Sequence, residues 1–220
     1  MFYYDGSSSK EIKDLFETGI ISGVTTNISH IKSALKNSNK TETEILKELA
    51  SCAQSLQLPI SIQLKSKTVK EMIREASEVK ELVGNYSGLY LKIAANFANL
   101  SAVRQLSNDG YLINATCVTS WMQGKMMALS GAKVISFFWG KMSDQGLNPY
   151  HHVNYFSNWR VKSKSQVILL VGSVRQTASI QSAFESGADV VTTSKQNLEK
   201  IANQLTSDAA LDLFNKDLMI

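Results

Sequence analysis

The chain has 220 residues, 44% hydrophobic and 19% charged, the composition of a folded protein and not of a disordered one. Its 23 Lys and Arg against 19 Asp and Glu leave a net +4, scattered along the chain, which suits an anionic small-molecule substrate and falls far short of a nucleic-acid-binding footprint. No apolar run approaches the roughly 18 residues of a membrane span, and the N-terminus has no basic-then-apolar leader, so a cytoplasmic protein with neither membrane nor nucleic-acid partners is expected.

In chain order, Phe2–Asp5 is a short apolar strand, followed by a serine cluster able to cap a helix over Lys10–Glu17. Ile20–Thr25 reads as the second strand. Thr43–Leu56 carries Ile45, Leu49, Cys52 and Leu56 at helical spacing, and Pro59–Leu64 is the third strand. Val69–Leu82 repeats Met72, Ile73, Ala76 and Val79 as a helix before the strand Gly88–Ile93. Helices over Leu100–Leu106 and Ser120–Ala128 bracket the strand Leu112–Thr116. Lys133–Phe138, Gln166–Val171 and Ala188–Thr192 complete the strands. Helices over Val153–Val161, Thr177–Ser186 and Leu198–Leu205 lie between and after them, and Asp208–Asp217 is a last helix. Gly110, Gly131 and Gly187 stand where helix C-termini favour glycine. Asp144–Pro149 is the most loop-like stretch.

Several strands are apolar at nearly every position, as strands covered on both faces are. Eight strand–helix units predict an α/β protein, a (β/α)8 TIM barrel with an extra C-terminal helix. Residues 1–220 form one domain in this reading, with 207–220 a helical extension. A doubly wound open sheet also alternates, although no GxGxxG follows any strand.

Barrels of this kind carry their sites at the C-terminal ends of the strands. There the sequence offers Asp5, Thr26, Asn27, Gln63, Lys92, Asn114, Thr116, Ser136 and Phe138, then Lys141, Ser173 and Arg175. Such convergent polar groups suit a hydroxylated substrate. Lys92 lies inside the apolar run Leu89–Ala94. If buried, its charged form is disfavoured and the amine becomes a nucleophile able to form an imine; otherwise it snorkels to water. Asp5 is either a general acid/base or the cap of the next helix. Ser173 and Arg175 after a glycine are either a phosphate site or a helix cap with a solvated arginine. Cys52 and Cys117 read as core thiols. His30, His151 and His152 show no metal-ligand spacing, and His151-His152 beside Tyr150 reads as an exposed loop. Met122, Met126 and Met127 on one helix, and Trp121, Trp139 and Trp159, read as packing residues.

Several stretches taken together carry a resemblance: Gly23-Val24-Thr25-Thr26-Asn27, Leu91-Lys92-Ile93, Gly110 through Thr116, Ser130 through Lys141, Gly172-Ser173-Val174-Arg175 and Gly187-Ala188-Asp189. In this order they resemble the transaldolase family, particularly its small subgroup that includes fructose-6-phosphate aldolase. The resemblance implies a (β/α)8 barrel and class I, metal-free aldol chemistry on sugar phosphates, with no cofactor. Lys92 matches the Schiff-base lysine, Asp5 the carboxylate that moves the C4 hydroxyl proton, and Thr116 a holder of the catalytic water. Asn27, Asn114 and Ser136 match residues binding the dihydroxyacetone hydroxyls, with Thr26 beside them. Ser173 and Arg175 match the phosphate site, where Lys141 replaces an arginine. It also implies a homo-oligomer, a ring of five or ten subunits, with the C-terminal helix reaching a neighbour; Leu211, Leu213 and Phe214 suit such a contact or equally a fold back onto their own barrel.

The chain departs from the pattern in telling places. By the resemblance, Gln63 stands where classical transaldolases have a glutamate and the aldolase branch a glutamine, and Phe138 where the aldolase branch has a tyrosine and transaldolases a phenylalanine. Ile28 replaces a proline after Thr-Thr-Asn, and Ala95-Asn96 replaces a Pro-Thr-type continuation after the lysine. The leading expectation is transfer of a dihydroxyacetone unit from fructose 6-phosphate to an aldose phosphate. The alternatives are an aldolase releasing dihydroxyacetone and glyceraldehyde 3-phosphate, and a weakly active or non-catalytic sugar-phosphate-binding barrel.

Overall fold

The computed structural model describes residues 1–203 and 210–215. Its strands are β1 (Phe2–Asp5), β2 (Ile21–Thr25), β3 (Ile60–Gln63), β4 (Leu89–Ala94), β5 (Leu112–Val118), β6 (Val134–Phe138), β7 (Ile168–Gly172) and β8 (Val190–Thr193). Each runs parallel to the next, and β8 pairs back onto β1 with Tyr4 opposite Thr193. That closure makes a barrel and disposes of the open-sheet alternative.

The helices are α1 (Ser9–Glu17), α2 (Ile28–Lys36), α3 (Glu42–Ser55), α4 (Val69–Val83), α5 (Leu100–Asn108), α6 (Trp121–Leu129), α7 (Trp139–Asp144), α8 (Pro149–Lys162), α9 (Thr177–Glu185) and α10 (Lys195–Ala202). The serine cluster acts as expected: the Ser8 side chain accepts from the Glu11 amide and starts α1. Thr41 with Glu44 and Thr68 with Glu71 form reciprocal capping boxes at α3 and α4, each worth about 1 kcal/mol. Residues 210–215 are helical, with Leu211, Leu213 and Phe214 exposed. The remainder of the predicted helix Asp208–Asp217, and Leu205 at the end of the one before it, lie outside the described residues. Among the described residues no helix is long and apolar enough to cross a membrane.

Strand pleating sorts each strand into two sets. Leu91, Ile93, Ile113, Ala115, Ile135, Phe137, Leu169, Val171 and Val191 point outward and are fully buried against the helices, with Ile12, Leu49, Met127 and Phe156 in the same core. The alternate positions point inward. Near the strand starts they form a small apolar plug of Val134, Leu170 and Val190, packed by Tyr3, Tyr90 and Ile168. Two residues further along, the inward set turns polar, which puts a polar floor and wall at the C-terminal end of the barrel.

Two helices escape the sequence patterns, α2 and α7. Of α2 only Ile31 is buried, with Ala34 and Leu35 packed at the core's edge, and its cap Asn27 follows the second strand with almost no linker. The helix α7 has six residues and begins directly after β6 with no side-chain cap. The expected loop therefore shortens to residues 145–148, and Tyr150-His151-His152 form the first turn of α8 instead of a loop. Met127 packs in the core, whereas Met122 and Met126 are exposed. Trp139 is buried, and Trp121 and Trp159 pack at the core's edge. Cys52 is a core thiol, whereas Cys117 is only partly buried.

Candidate active site

A cavity of about 450 Å³ opens at the C-terminal ends of the strands. Asp5, Gln63, Lys92, Thr116, Ser136, Phe138, Asn27 and Ser173 line it together. Residues more than a hundred positions apart thus share one space because the barrel brings alternate strand positions to a common axis. Thr25, His30, Cys117 and Thr192 also line it. Thr26, Asn114, Lys141 and Arg175 do not.

Lys92 is buried at 5% exposure and does not reach bulk water, which removes the snorkelling alternative. Its Nζ donates to the Thr26 main-chain carbonyl at 2.9 Å. Burial pulls its pKa below the ordinary lysine value, and the charge of Asp5 opposes that only in part. The result is an amine held at a fixed point with a weakened hold on its proton. Thr26 contributes through its carbonyl; its hydroxyl is buried and has no partner among the described residues.

Asp5 does not cap α1, which is Ser8's work. Its Oδ1 accepts from Thr25 Oγ1 at 2.8 Å, and its Oδ2 lies 3.4 Å from His30 Nε2. Thr25 Oγ1 is also 2.6 Å from Thr192 Oγ1. Since Thr25 gives its proton to Asp5, Thr192 is the donor of that second bond. A polar chain therefore runs from β8 through β2 to β1 and exists only because the barrel closes. Burial works against ionisation of Asp5, but the His30 contact, the Lys92 charge and the Thr25 bond together hold its carboxyl below the usual range.

The floor is a second network. Ser136 Oγ donates to Asn114 Oδ1 at 2.6 Å, and Asn114 Nδ2 donates to Ser61 Oγ at 3.1 Å. Asn114 is fully buried beneath the cavity, so it fixes Ser136 and Ser61. Asn27 caps α2 by accepting from the His30 amide at 3.0 Å while still facing the cavity. Thr116 lines the wall with a buried hydroxyl that has no hydrogen-bond partner of ordinary geometry among the described residues.

Cys117 takes a left-handed backbone conformation (φ 59°) where the β5–β6 register shifts. The bulge turns its side chain from the outer core into the cavity, and burial pushes its thiol up. Ser173 also has positive φ, 58°. Arg175 stands outside the cavity in a bidentate pair with Asp144, and Lys141 lies 4.0 Å from the same carboxylate. The helix α9 is capped at Gln176 without a side-chain bond, so Ser173 is free of the capping role.

Strand alternation, applied consistently, would have added Ser61, Thr25 and Thr192 to the expected residues. No motif in the sequence marks His30, which α2 carries. Among the described residues no group of three or more His, Cys, Asp or Glu is placed to hold a metal ion.

A closed parallel barrel with a buried amine and a carboxylate facing one polar cavity at its C-terminal end defines a lysine-bearing (β/α)8 protein. The chain belongs to the transaldolase/fructose-6-phosphate aldolase family, whose model matches residues 2–218. It is 31% identical to a "Probable transaldolase" of Syntrophobacter fumaroxidans, over 98% of this chain and 95% of that protein. Proteins of the same name from Bdellovibrio bacteriovorus and Brucella anthropi are 30% and 28% identical, over 98% of this chain and 96% and 95% of theirs. Among solved structures, thiamine phosphate pyrophosphorylase from Pyrococcus furiosus superposes with a TM-score of 0.60 at 10% identity, covering 87% of this chain and 84% of that one. That likeness concerns the fold alone.

Proposed function

We propose that the protein is a class I transaldolase, moving a dihydroxyacetone unit from fructose 6-phosphate to an aldose phosphate through an imine on Lys92. The observation that carries this reading is the buried Lys92 amine, anchored at 2.9 Å to the Thr26 carbonyl in the same cavity as Asp5. Lys92 attacks the ketose C2 carbonyl, and the adduct loses water to give the imine. The imine draws in the electrons of the C3–C4 bond as it breaks, while Asp5 takes the C4 hydroxyl proton and glyceraldehyde 3-phosphate leaves. The enamine then adds to the acceptor aldehyde, with Asp5 returning a proton to the new hydroxyl. Covalent catalysis here divides one difficult step into easier ones.

Thr116 and Gln63 are suited to hold the water lost and regained at C2. Asn27 and Ser136 offer polar groups to the dihydroxyacetone hydroxyls, with Asn114 bracing Ser136 from below and Phe138 closing the wall. Ser173, Arg175 and Lys141 lie on the side where a phosphate would sit. No step needs a metal or a cofactor. We further propose one cytoplasmic domain over residues 1–220 that assembles as a homo-oligomer through its C-terminal helix. One observation favours a second reading: the cavity holds Gln63, as the aldolase branch does, so release of free dihydroxyacetone is the competing outcome.

The test is borohydride reduction in the presence of fructose 6-phosphate or dihydroxyacetone, followed by peptide mass mapping. The expected result is an adduct on Lys92 that Lys92→Ala abolishes. No adduct under conditions that label a working relative rejects the imine chemistry and leaves a sugar-phosphate-binding barrel. Turnover with and without erythrose 4-phosphate separates transfer from release.

A further inference from the structure

The cavity's titratable side chains are Asp5, His30, Lys92 and Cys117. Position 63 is a glutamine and position 138 a phenylalanine, so neither supplies an acid or base. Burial keeps the Cys117 thiol protonated. Lys92 is committed to the imine and His30 Nε2 faces Asp5 Oδ2 at 3.4 Å, so the proposed mechanism gives the substrate's hydroxyl proton to Asp5, and whatever controls that carboxylate controls the reaction.

His30 sits in the first turn of α2, where the Asn27 cap and the 3.0 Å bond to its amide fix the backbone. Its carbonyl accepts from Ser7 Oγ at 3.0 Å, tying the β1–α1 loop to α2. Its ring reaches Asp5 Oδ2 from the side opposite Thr25. Both carboxylate oxygens are then engaged, one by a strand hydroxyl and one by an imidazole from a separate helix. The ring also lines a second, outer groove of about 660 Å³ beside Ser7, Ser33 and Lys40. Asp5 and His30 both line the cavity and that groove, so the pair stands where the two spaces meet.

We propose that His30 is a positioning residue that holds the Asp5 carboxylate in place as the base of the reaction. The proposal rests on the imine reading above. The other charged groups around this corner already have partners. On α1, Glu11 accepts from Tyr4 at 2.5 Å and Lys10 pairs with Asp14. Asp14 also pairs with Lys195 of α10. Lys40, ahead of α3, pairs with Glu48. Lys92 of β4 adds positive charge from below, and Cys117 of β5 stays neutral. His30 is the one contact to Asp5 that a single surface-reachable substitution removes, since its side chain is 35% exposed and its loss leaves no hole in the core.

The test compares wild type, His30→Ala and His30→Gln, with Asp5→Asn as the limiting case. Three quantities are read: kcat and KM with fructose 6-phosphate and erythrose 4-phosphate across pH, the NMR titration of the Asp5 carboxyl, and borohydride trapping with dihydroxyacetone. In His30→Ala, kcat is expected to fall by up to about 10²-fold with KM within about threefold, the cost of a misplaced reacting group. The acid limb of its pH profile and the Asp5 titration should both move to higher pH, because the carboxylate loses a partner that favours its charged form. His30→Gln, which keeps an N–H donor, should recover most of kcat and move both curves back. A fall in kcat with both curves unmoved would mean a merely structural histidine and overturn the proposal, as would kcat within twofold of wild type. Absence of a trapped adduct in the wild type rejects the imine reading and this role with it. A wild type that is trapped beside an unaltered His30→Ala rejects this role alone.

Discussion

Arg175 and Asp144 face each other as a bidentate pair, with the two guanidinium nitrogens 2.7 and 2.6 Å from the two carboxylate oxygens. The arginine expected to grip a substrate phosphate is thus already holding a carboxylate from α7. Both side chains are largely exposed, so the pair is exchangeable and a phosphate must compete for the fork. Asp144→Asn removes the competitor. It should lower KM for a phosphorylated substrate by about two- to fivefold and leave the KM of an unphosphorylated one unchanged. Equal effects on both substrates would show that Arg175 does not meet the phosphate.

Lys92 is a charged group kept in an apolar strand, and its burial costs stability. Lys92→Met fills the same space without charge, so it should raise stability by roughly 0.5–2 kcal/mol, the usual gain when an active-site group is traded for a packing one. The pH dependence has a definite sign. The folded amine titrates below the unfolded one, whose ordinary value is 10.5. Wild type therefore carries the full penalty below its folded pKa and sheds it as pH rises toward 10.5. The advantage of Lys92→Met in denaturant melts should be largest at neutral pH and shrink in alkali. A variant less stable than wild type at neutral pH would contradict the argument.

Gly140 lets α7 lie against the Ser173 loop: its amide donates to the Ser173 carbonyl at 2.9 Å, and a Cβ there would fall 2.5 Å from that same oxygen. A backbone atom cannot move aside as a side-chain tip can. Gly140→Ala should cost about 1–3 kcal/mol, read as a lower melting temperature. It should also weaken binding of phosphorylated substrates by displacing Ser173. A normal melting temperature with unchanged KM would mean that the loop is not held by this contact.

The barrel and much of its cavity are legible in the order of the residues. Eight apolar runs separated by amphipathic ones admit few folds, and a strand's period of two assigns Asp5, Gln63, Lys92, Thr116, Ser136 and Phe138 to inward positions once the strands are known. These are local properties, fixed by side-chain hydrophobicity and backbone pleating within a few residues. The relationships between distant segments come from the folded arrangement. Closure of β8 onto β1 created the Thr192–Thr25–Asp5 chain. The nine-residue helix α2 carried His30 to the other oxygen of Asp5. The six-residue α7 carried Asp144 to Arg175. The bulge in β5 turned Cys117 from an expected core thiol into a cavity residue. Hydrogen bonds and ion pairs depend on ångström-scale placement of groups far apart in the chain, and neither composition nor periodicity carries that distance.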